Sequence, residues 1–316
     1  MKLAMLCGGH SSERPISFKS ARSIVESLEN TPPFLLIDTG RSEVFTDFDS
    51  QMRKNPLPPS PALVKKLLSH LEIHGIEKVC IMLHGGTGED GHIQALLDLC
   101  RIPYTGSGMG ASHVGMDKVL SKIIMEYYHV PTPPWTYLSK KGHTPPAPPF
   151  PLPVIVKPAS EGSTVGLTKI EKECGWERAV EEAFQADDHI LVERYIPGRE
   201  LTIPVDETGA WPPVEIQPQK GLYDFESKYS EGMSRYICPA NIIPSLLEKM
   251  NRDALLLYEK MRLQGVVRFD IRLDREDYFF LEVNTLPGMT SLSLVPMSFQ
   301  AGGISYRELI QRIFYG

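Results

Sequence analysis

With 316 residues, 42% hydrophobic and 23% charged, the chain has enough apolar mass for one large globular unit or two to three smaller domains. A net charge of −6 argues against a general affinity for nucleic acid or anionic membrane, with room for a local basic groove. Five cysteines (Cys7, Cys80, Cys100, Cys174 and Cys238) form no C-x-x-C pair, and most sit in apolar contexts. Reduced, buried thiols in a cytosolic protein are therefore expected rather than a disulfide framework. The N-terminal apolar run L-A-M-L-C is too short for a signal peptide, and no later run approaches the ~20 residues needed to span a bilayer. A soluble, cytoplasmic protein is the expectation.

In chain order, Leu3–Cys7 reads as a strand, Ser17–Leu28 as a helix, Phe34–Ile37 as a strand and Pro61–Leu71 as a helix. Val79–Leu83 then reads as a strand, and His92–Leu99 and Val119–Tyr128 as helices. Strand–helix alternation of this kind predicts a parallel sheet covered by helices, an α/β arrangement. Between Pro131 and Pro158 the chain holds ten of its 27 prolines, a density that excludes regular helix and favours an extended connection. A boundary is placed just before it, near Lys118. Beyond it the pattern becomes strand-rich. Val154–Lys157, Ile190–Glu193 and Glu200–Val205 read as strands, and Gly175–Phe184 and Leu246–Met261 as helices.

Two acidic strands follow, V-V-R-F-D-I-R-L (266–273) and F-F-L-E-V-N-T (279–285). Their two-residue period puts Arg268 and Asp270 on one face, and Glu282 and Asn284 on one face. A hairpin turning about Glu276 would set Asp270 opposite Glu282 and Arg268 opposite Asn284. Two carboxylates facing across a ladder lie roughly 5 Å apart and repel, so a cation is expected there. Oxygen-only ligands suit magnesium. The face reads as a nucleotide–metal platform.

Other segments carry anion or ligand chemistry. V-I-V-K-P-A-S-E-G-S-T-V-G (154–166) is a strand ending in Lys157, then a loop of small residues whose backbone N–H groups could approach phosphate. An ordinary hairpin turn with a surface lysine is the bland alternative. No Walker G-x-x-x-x-G-K-[ST] motif is present. Gly86, Gly88 and Gly91 satisfy G-x-G-x-x-G, but after the third strand and with Glu89 and Asp90 where a pyrophosphate would approach, which argues against a dinucleotide site. Glu13, in C-G-G-H-S-S-E-R (7–14), lies near the carboxyl end of the first strand, where open α/β sheets bind ligands; it could equally be a helix N-terminal acid favoured by the dipole. His84 ends the third strand, placed to meet a substrate or to cap a turn.

Taken in order from residue 8 to residue 296, G-G-x-S-x-E-R, H-G-x-x-G-E-D-G, M-D-K, E-G-S-x-V-G, Y-D-F-E-S-K-Y, R-F-D, L-E-V-N-T-L-P-G-M-T and S-L-V-P strongly resemble the D-alanine–D-alanine ligases of the ATP-grasp superfamily. The resemblance implies an ATP-grasp fold with α+β character in its ATP-binding part and an N-terminal Rossmann-like domain. Three α/β subdomains are expected: 1–117, 118–200 and 201–316. It implies an ATP-dependent ligase that phosphorylates one D-alanine and lets the amine of a second attack the acyl phosphate, supplying a dipeptide for peptidoglycan. A different acceptor (D-serine, D-lactate or a specialised amino acid) is the alternative.

By the same resemblance, Lys118 and Lys157 contact ATP phosphates, and Lys228 reaches the transferred phosphoryl group. Glu193, Arg194 and Ile196 border the adenine, the arginine standing where a lysine is common, and Glu200 meets the ribose. Asp270, Glu282 and Asn284 hold two Mg2+ (or Mn2+) ions. Glu13 binds the ammonium of the first D-alanine and links to Ser163 and Tyr229, with His84 close by. Arg268 and the Gly288 N–H stabilise the oxyanion, and Ser293 and Leu294 receive the second carboxylate. The resemblance further implies a homodimer. Leu286 and Leu292 stand where polar residues are frequent, and Thr164 where serine is, so acceptor preference is the least constrained feature.

Overall fold

The computed structural model describes residues 2–28, 34–142, 147–162, 166–218 and 234–315. Ser163, Lys228 and Tyr229 lie outside the described residues, and with them two members of the expected Glu13–Ser163–Tyr229 trio. The chain forms two compact units that do not follow chain order. One comprises residues 1–113, 262–267 and 285–316, the other 114–261 and 268–284.

The first unit opens with β1 (Leu3–Cys7), α1 (Arg14–Ser27), β2 (Phe34–Asp38), β3 (Glu43–Val44), α2 (Phe48–Met52), α3 (Pro61–Ile73), β4 (Lys78–Ile81), α4 (His92–Leu99) and α5 (Met109–Met116). The sheet order is β3-β2-β1-β4, with β1 parallel to both neighbours and the short β3 antiparallel at the edge. All five residues of β1 are buried, as expected for a central parallel strand covered on both faces. Leu67 and Leu71 of α3 and Ile93 and Leu97 of α4, each pair one helical turn apart, pack with Ala4, Leu6, Val79 and Ile81. Helix α1 begins three residues before its expected start because Pro15 is tolerated in a first turn, where its missing N–H costs nothing. Helices α2 and α5 are additional to the sequence expectation.

The second unit contributes α6 (Lys118–Tyr127), β5 (Trp135–Ser139), β6 (Val154–Pro158), β7 (Thr168–Ile170), α7 (Trp176–Ala186), β8 (His189–Arg194), β9 (Arg199–Asp206), β10 (Gly209–Ala210), β11 (Val214–Pro218), β12 (Ser234–Ile237), α8 (Pro244–Lys260), β13 (Val267–Asp274) and β14 (Asp277–Asn284). It holds two sheets. One is antiparallel with order β5-β8-β6-β7; its core is Val154, Val156, Ile190 and Val192 against Trp176, Ala179, Val180 and Ala183. The spacing of those α7 residues is the apolar stripe of an amphipathic helix. The other sheet runs β12-β11-β9-β13-β14, with β10 hung on β9. The proline-rich segment is not merely a connection: its Trp135–Ser139 pairs with all but one residue of β8. The last helices, α9 (Leu294–Ala301) and α10 (Tyr306–Tyr315), fall in the first unit.

No described helix is long and apolar enough to cross a membrane. All five cysteines are free, but the expectation of burial holds fully only for Cys7 and Cys80. Cys100 and Cys174 are exposed: Cys100 caps the end of α4 and Cys174 lies in a single 3-10 turn before α7, neither inside a strand.

Candidate active site

The acidic hairpin has the register expected for it, by a different route. Asp270 faces Glu282 and Arg268 faces Asn284. The turn, however, is two residues long: Asp274 pairs with Asp277, and Arg275 takes a left-handed φ of 58°. A two-residue turn alone would have set Asp270 opposite Leu281. The register shifts beyond Asp270, so that Ile271 faces Phe280 and Leu281 is the extra residue of a β-bulge. Burial follows it: Phe280 and Val283, three residues apart instead of two, both point into the core. The bulge therefore turns Glu282 onto the face of Asp270, since a one-residue slip exchanges the two faces of a strand.

The repulsion on that face is relieved from within the unit. Arg268 grips Asp270 through Nε and Nη2 at 2.8 and 2.9 Å, and Asn284 Nδ2 donates to Asp270 Oδ2 at 3.0 Å. Lys118 Nζ stands 3.6 Å from Glu282 Oε2 and donates to the Glu161 carbonyl at 2.6 Å. The M-D-K motif explains this placement. Asp117 caps α6 by accepting from the N–H groups of Val119 and Leu120, and the Lys118 N–H donates to the Ala159 carbonyl. The lysine is thus fixed at a helix N-terminus beside the loop that follows β6.

Lys157 and Glu193 are diagonal neighbours on the β6–β8 pair, where Lys157 is opposite Leu191 and Glu193 opposite Ile155. Lys157 Nζ donates to Glu193 Oε1 at 2.7 Å, and both groups are almost fully buried. Burial disfavours the Glu193 carboxylate, but the ammonium groups of Lys122 and Lys157 outweigh it and hold its pKa below the usual range. Ile196 is buried, whereas Arg194 is exposed at the end of β8 with its N–H on the Pro134 carbonyl. Arg272 Nη1 donates to Glu200 Oε2 at 3.1 Å, and its Nε and Nη2 donate to the carbonyls of Ile196 and Gly198. Gly198 is required there. Its φ is +95°, and a Cβ would stand 2.3 Å from the Leu273 carbonyl oxygen.

In the first unit, Glu13 lies at the N-cap of α1, and its backbone carbonyl accepts from Ile16 and Ser17. Its carboxylate packs against the H-G-G loop, where a Cβ on Gly85 would come within 2.9 Å of Glu13 Oε2. His84 is held on both ring nitrogens: Nδ1 is 2.8 Å from the Leu286 carbonyl and Nε2 is 3.1 Å from Ser20 Oγ. The carbonyl can only accept, so Nδ1 carries the proton and Nε2 accepts from Ser20. Ser20 Oγ in turn accepts from the Met289 N–H at 3.4 Å. His84 is thereby part of the support of the 286–290 loop. Ser293 Oγ accepts from the Thr290 N–H and lies beside Gly288, while Leu294 is buried.

The glycine loop 86–91 is also built against a dinucleotide. Glu89 accepts from the N–H groups of Gly85 and Leu286, occupying donors that a phosphate would use. Of the unusual leucines, Leu286 joins the first unit's core, whereas Leu292 is 83% exposed. Three contributors escaped the sequence reading: Lys122, Arg272 and Ser20. Arg272 was legible as the third member of the R-x-D-x-R alternation. Lys122 shares a helical face with Lys118, one turn on. Nothing local marks Ser20.

Glu13, His84, Gly288, Ser293 and Leu294 belong to the first unit. Lys118, Lys157, Glu193, Arg194, Ile196, Glu200, Arg268, Asp270, Glu282 and Asn284 belong to the second. Among the described residues no three His, Cys, Asp or Glu side chains cluster as a metal cage. The hairpin instead offers two carboxylates and one amide oxygen, a hard donor set that fits magnesium completed by phosphate and water oxygens.

Comparison with known proteins covers the chain from end to end. Residues 2–107 match the family model "D-ala D-ala ligase N-terminus", and residues 124–315 match "D-ala D-ala ligase C-terminus". The D-alanine–D-alanine ligase of Syntrophotalea carbinolica is 36% identical over 317 residues, covering 100% of this chain and 95% of that protein. That of Bordetella avium is 37% identical, covering 98% and 92%. The crystal structure of the Bacillus anthracis D-alanine–D-alanine ligase complexed with ATP superposes with a TM-score of 0.79 at 26% identity, covering 100% of this chain and 96% of that one. The Coxiella burnetii enzyme gives a TM-score of 0.78 at 25% identity, covering 98% and 92%. By these matches the chain belongs to the D-alanine–D-alanine ligase family of ATP-dependent ligases and has its ATP-grasp fold.

Proposed function

We propose that this ligase joins two D-alanines through a D-alanyl phosphate. The γ-phosphoryl group of ATP passes to a carboxylate oxygen of the first D-alanine, releasing ADP. The neutral amine of the second attacks the acyl carbon, and phosphate leaves from the tetrahedral intermediate. The observation that carries the reading is the bulge-set hairpin face, with Asp270, Glu282 and Asn284 on one side and Lys118 and Lys157 in the same unit. Anion-binding lysines beside hard oxygen donors are the recurring parts of phosphoryl transfer.

In this reading Lys118 and Lys157 hold phosphates, and Ile196, Arg194 and Glu193 border the adenine. Glu200, oriented by Arg272, meets the ribose. Asp270, Glu282 and Asn284 would hold two magnesium or manganese ions, which neutralise phosphate charge when bound. Arg268, oriented by Asp270, and the Gly288 N–H donate to the developing oxyanion. Glu13 holds the first ammonium, with Ser163 and Tyr229 as its partners. Ser293 and Leu294 receive the second carboxylate, and Lys228 reaches the moving phosphoryl group. His84 acts by supporting the loop of Gly288.

The division into subdomains 1–117, 118–200 and 201–316 belongs to the same reading. It is supported by the two sheets of the second unit, whose strands lie in 135–194 and 199–284. We further place the protein in the cytoplasm as a homodimer, where ATP is available; light scattering of the purified protein tests the dimer.

The decisive experiment supplies purified protein with ATP, magnesium and D-alanine. ADP, phosphate and D-alanyl-D-alanine are expected. Absence of dipeptide, with turnover on D-serine, D-lactate or another acceptor, would overturn the substrate and leave the family intact.

A further inference from the structure

Lys122 has no role in the scheme above, yet its side chain has no solvent exposure at all. A buried ammonium costs several kcal/mol unless it is paired and hydrogen-bonded. Lys122 meets both conditions. Its Nζ stands 2.9 Å from Glu193 Oε2 and donates to Thr132 Oγ1 at 2.6 Å. Thr132 Oγ1 in turn donates to the Phe280 carbonyl at 2.9 Å. Glu193 is therefore held on two sides, Oε1 by Lys157 and Oε2 by Lys122. Two buried cations share one carboxylate, and the trio carries a net positive charge.

The two lysines are not equivalent. Burial pulls the pKa of Lys122 below its ordinary value, and Glu193 offsets this only in part. Burial acts on Lys157 in the same direction, but Glu193, then Glu282 and Asp270, outweigh it and leave its pKa raised. Both lysines feel the Glu282 carboxylate, but only Lys157 also feels Asp270, and Lys122, on α6, is tied to Thr132 Oγ1.

A purely structural pair needs one lysine. With Lys157 alone, Glu193 would close a neutral buried pair at short distance, and an arriving phosphate would have to compete with the carboxylate for the ammonium. With Lys122 present, Glu193 keeps a counter-ion whichever partner Lys157 takes. We propose that Lys122 is a positioning residue that carries the charge of Glu193 and so leaves the Lys157 ammonium available to the phosphates of the nucleotide. This rests on the reading that Lys157 is a phosphate ligand.

The test is calorimetric titration of ADP and of adenosine into the wild type, Lys122→Met, Lys157→Met, Glu193→Gln and the Lys122→Met/Glu193→Gln double variant. Lys122→Met is expected to weaken ADP about tenfold while adenosine stays within about twofold, because only the phosphates need Lys157. In the Glu193→Gln background the same change should cost less than about threefold, since no carboxylate remains to capture Lys157. Equal losses for ADP and adenosine, or an undiminished tenfold loss in the Glu193→Gln background, would overturn the proposal. Should Lys122→Met not fold, the double variant against Glu193→Gln decides alone: matching ADP affinities support the proposal, a tenfold gap refutes it. Unchanged ADP binding in Lys157→Met removes the underlying reading. Weakened binding there with unchanged binding in Lys122→Met removes only the role of Lys122.

Discussion

The two units present their candidate functional residues by contrasting means. In the second, charges are set on strands and satisfy one another: Arg268 on Asp270, Lys118 near Glu282, and Lys157 and Lys122 on Glu193. In the first, loops at strand ends are held by mostly neutral hydrogen bonds, with Ser20 joining His84 to the Met289 N–H and Ser11 to the His84 carbonyl. The contrast shows two ways of preparing a site. Paired charges are kept in place by partners that a ligand can replace. Backbone donors are kept in place by side-chain hydroxyl and imidazole groups.

The largest effect that bears on this contrast is at Arg268. Arg268→Ala is expected to lower kcat at least about a hundredfold, near 3 kcal/mol of transition-state stabilisation, with the melting temperature little changed. Near-normal turnover would reduce Arg268 to a partner of Asp270. Next is Gly198, whose left-handed φ and closeness to the Leu273 carbonyl exclude a side chain and whose carbonyl accepts from Arg272. Gly198→Ala should cost about 2–3 kcal/mol of unfolding free energy, read as a lower denaturant midpoint. An unchanged midpoint would mean that the β9 entry tolerates a side chain and that charge placement in this unit is looser than described.

Ser20→Ala probes the first unit. It leaves His84 Nε2 and the Met289 N–H without their shared hydroxyl, so about a tenfold loss in kcat and roughly 1 kcal/mol of stability are expected, with the KM for ATP unchanged. A KM effect confined to ATP would contradict the division of labour between the units. The smallest effect concerns Glu43 in the first unit, whose carboxyl is held at about 2 chiefly by hydrogen bonding to Arg41, with Lys54 and Gln51 helping to outweigh the opposing effect of burial. A folded-state pKa below the unfolded value means stability that is present above about pH 4.5 and lost as pH falls toward 2. Glu43→Gln should therefore cost under about 1 kcal/mol at pH 7 after solvent screening, and nothing near pH 2. Glu193 obeys the same sign, but it is buried between two lysines, and removing its charge should disturb the second unit far more.

Much of this was legible along the chain. The strands β1, β2, β6, β8 and β9 announce themselves as apolar runs bounded by turn residues, and α3, α4 and α6 as apolar stripes of helical period. The hairpin face was legible because alternation puts Arg268 and Asp270, and Glu282 and Asn284, on one side each. Its register came from assuming a turn about Glu276, whereas the structure reaches it with a shorter turn and a bulge at Leu281. Local propensity carries little information on bulges, since an extra leucine in F-F-L-E-V looks like any other strand residue. Helix α5, M-G-A-S-H-V-G-M, was missed because two glycines and a weak apolar stripe hide it. The pairing of β5 was missed because prolines on both sides disguise a short strand.

Residue order alone determined the identity of the functional groups, the period that aligns them and the motif series that names the family, because these depend on neighbours a few positions apart. Folding decided which partners those groups take. Glu193, read as bordering a nucleotide base, is also the shared counter-ion of two lysines 36 and 71 positions away from it in the chain. His84, read as meeting a substrate, supports a loop about 200 residues later. Burial supplies the reason: a charge or imidazole removed from water must find its complement within about 3 Å, and only the packed chain decides which distant residue stands there.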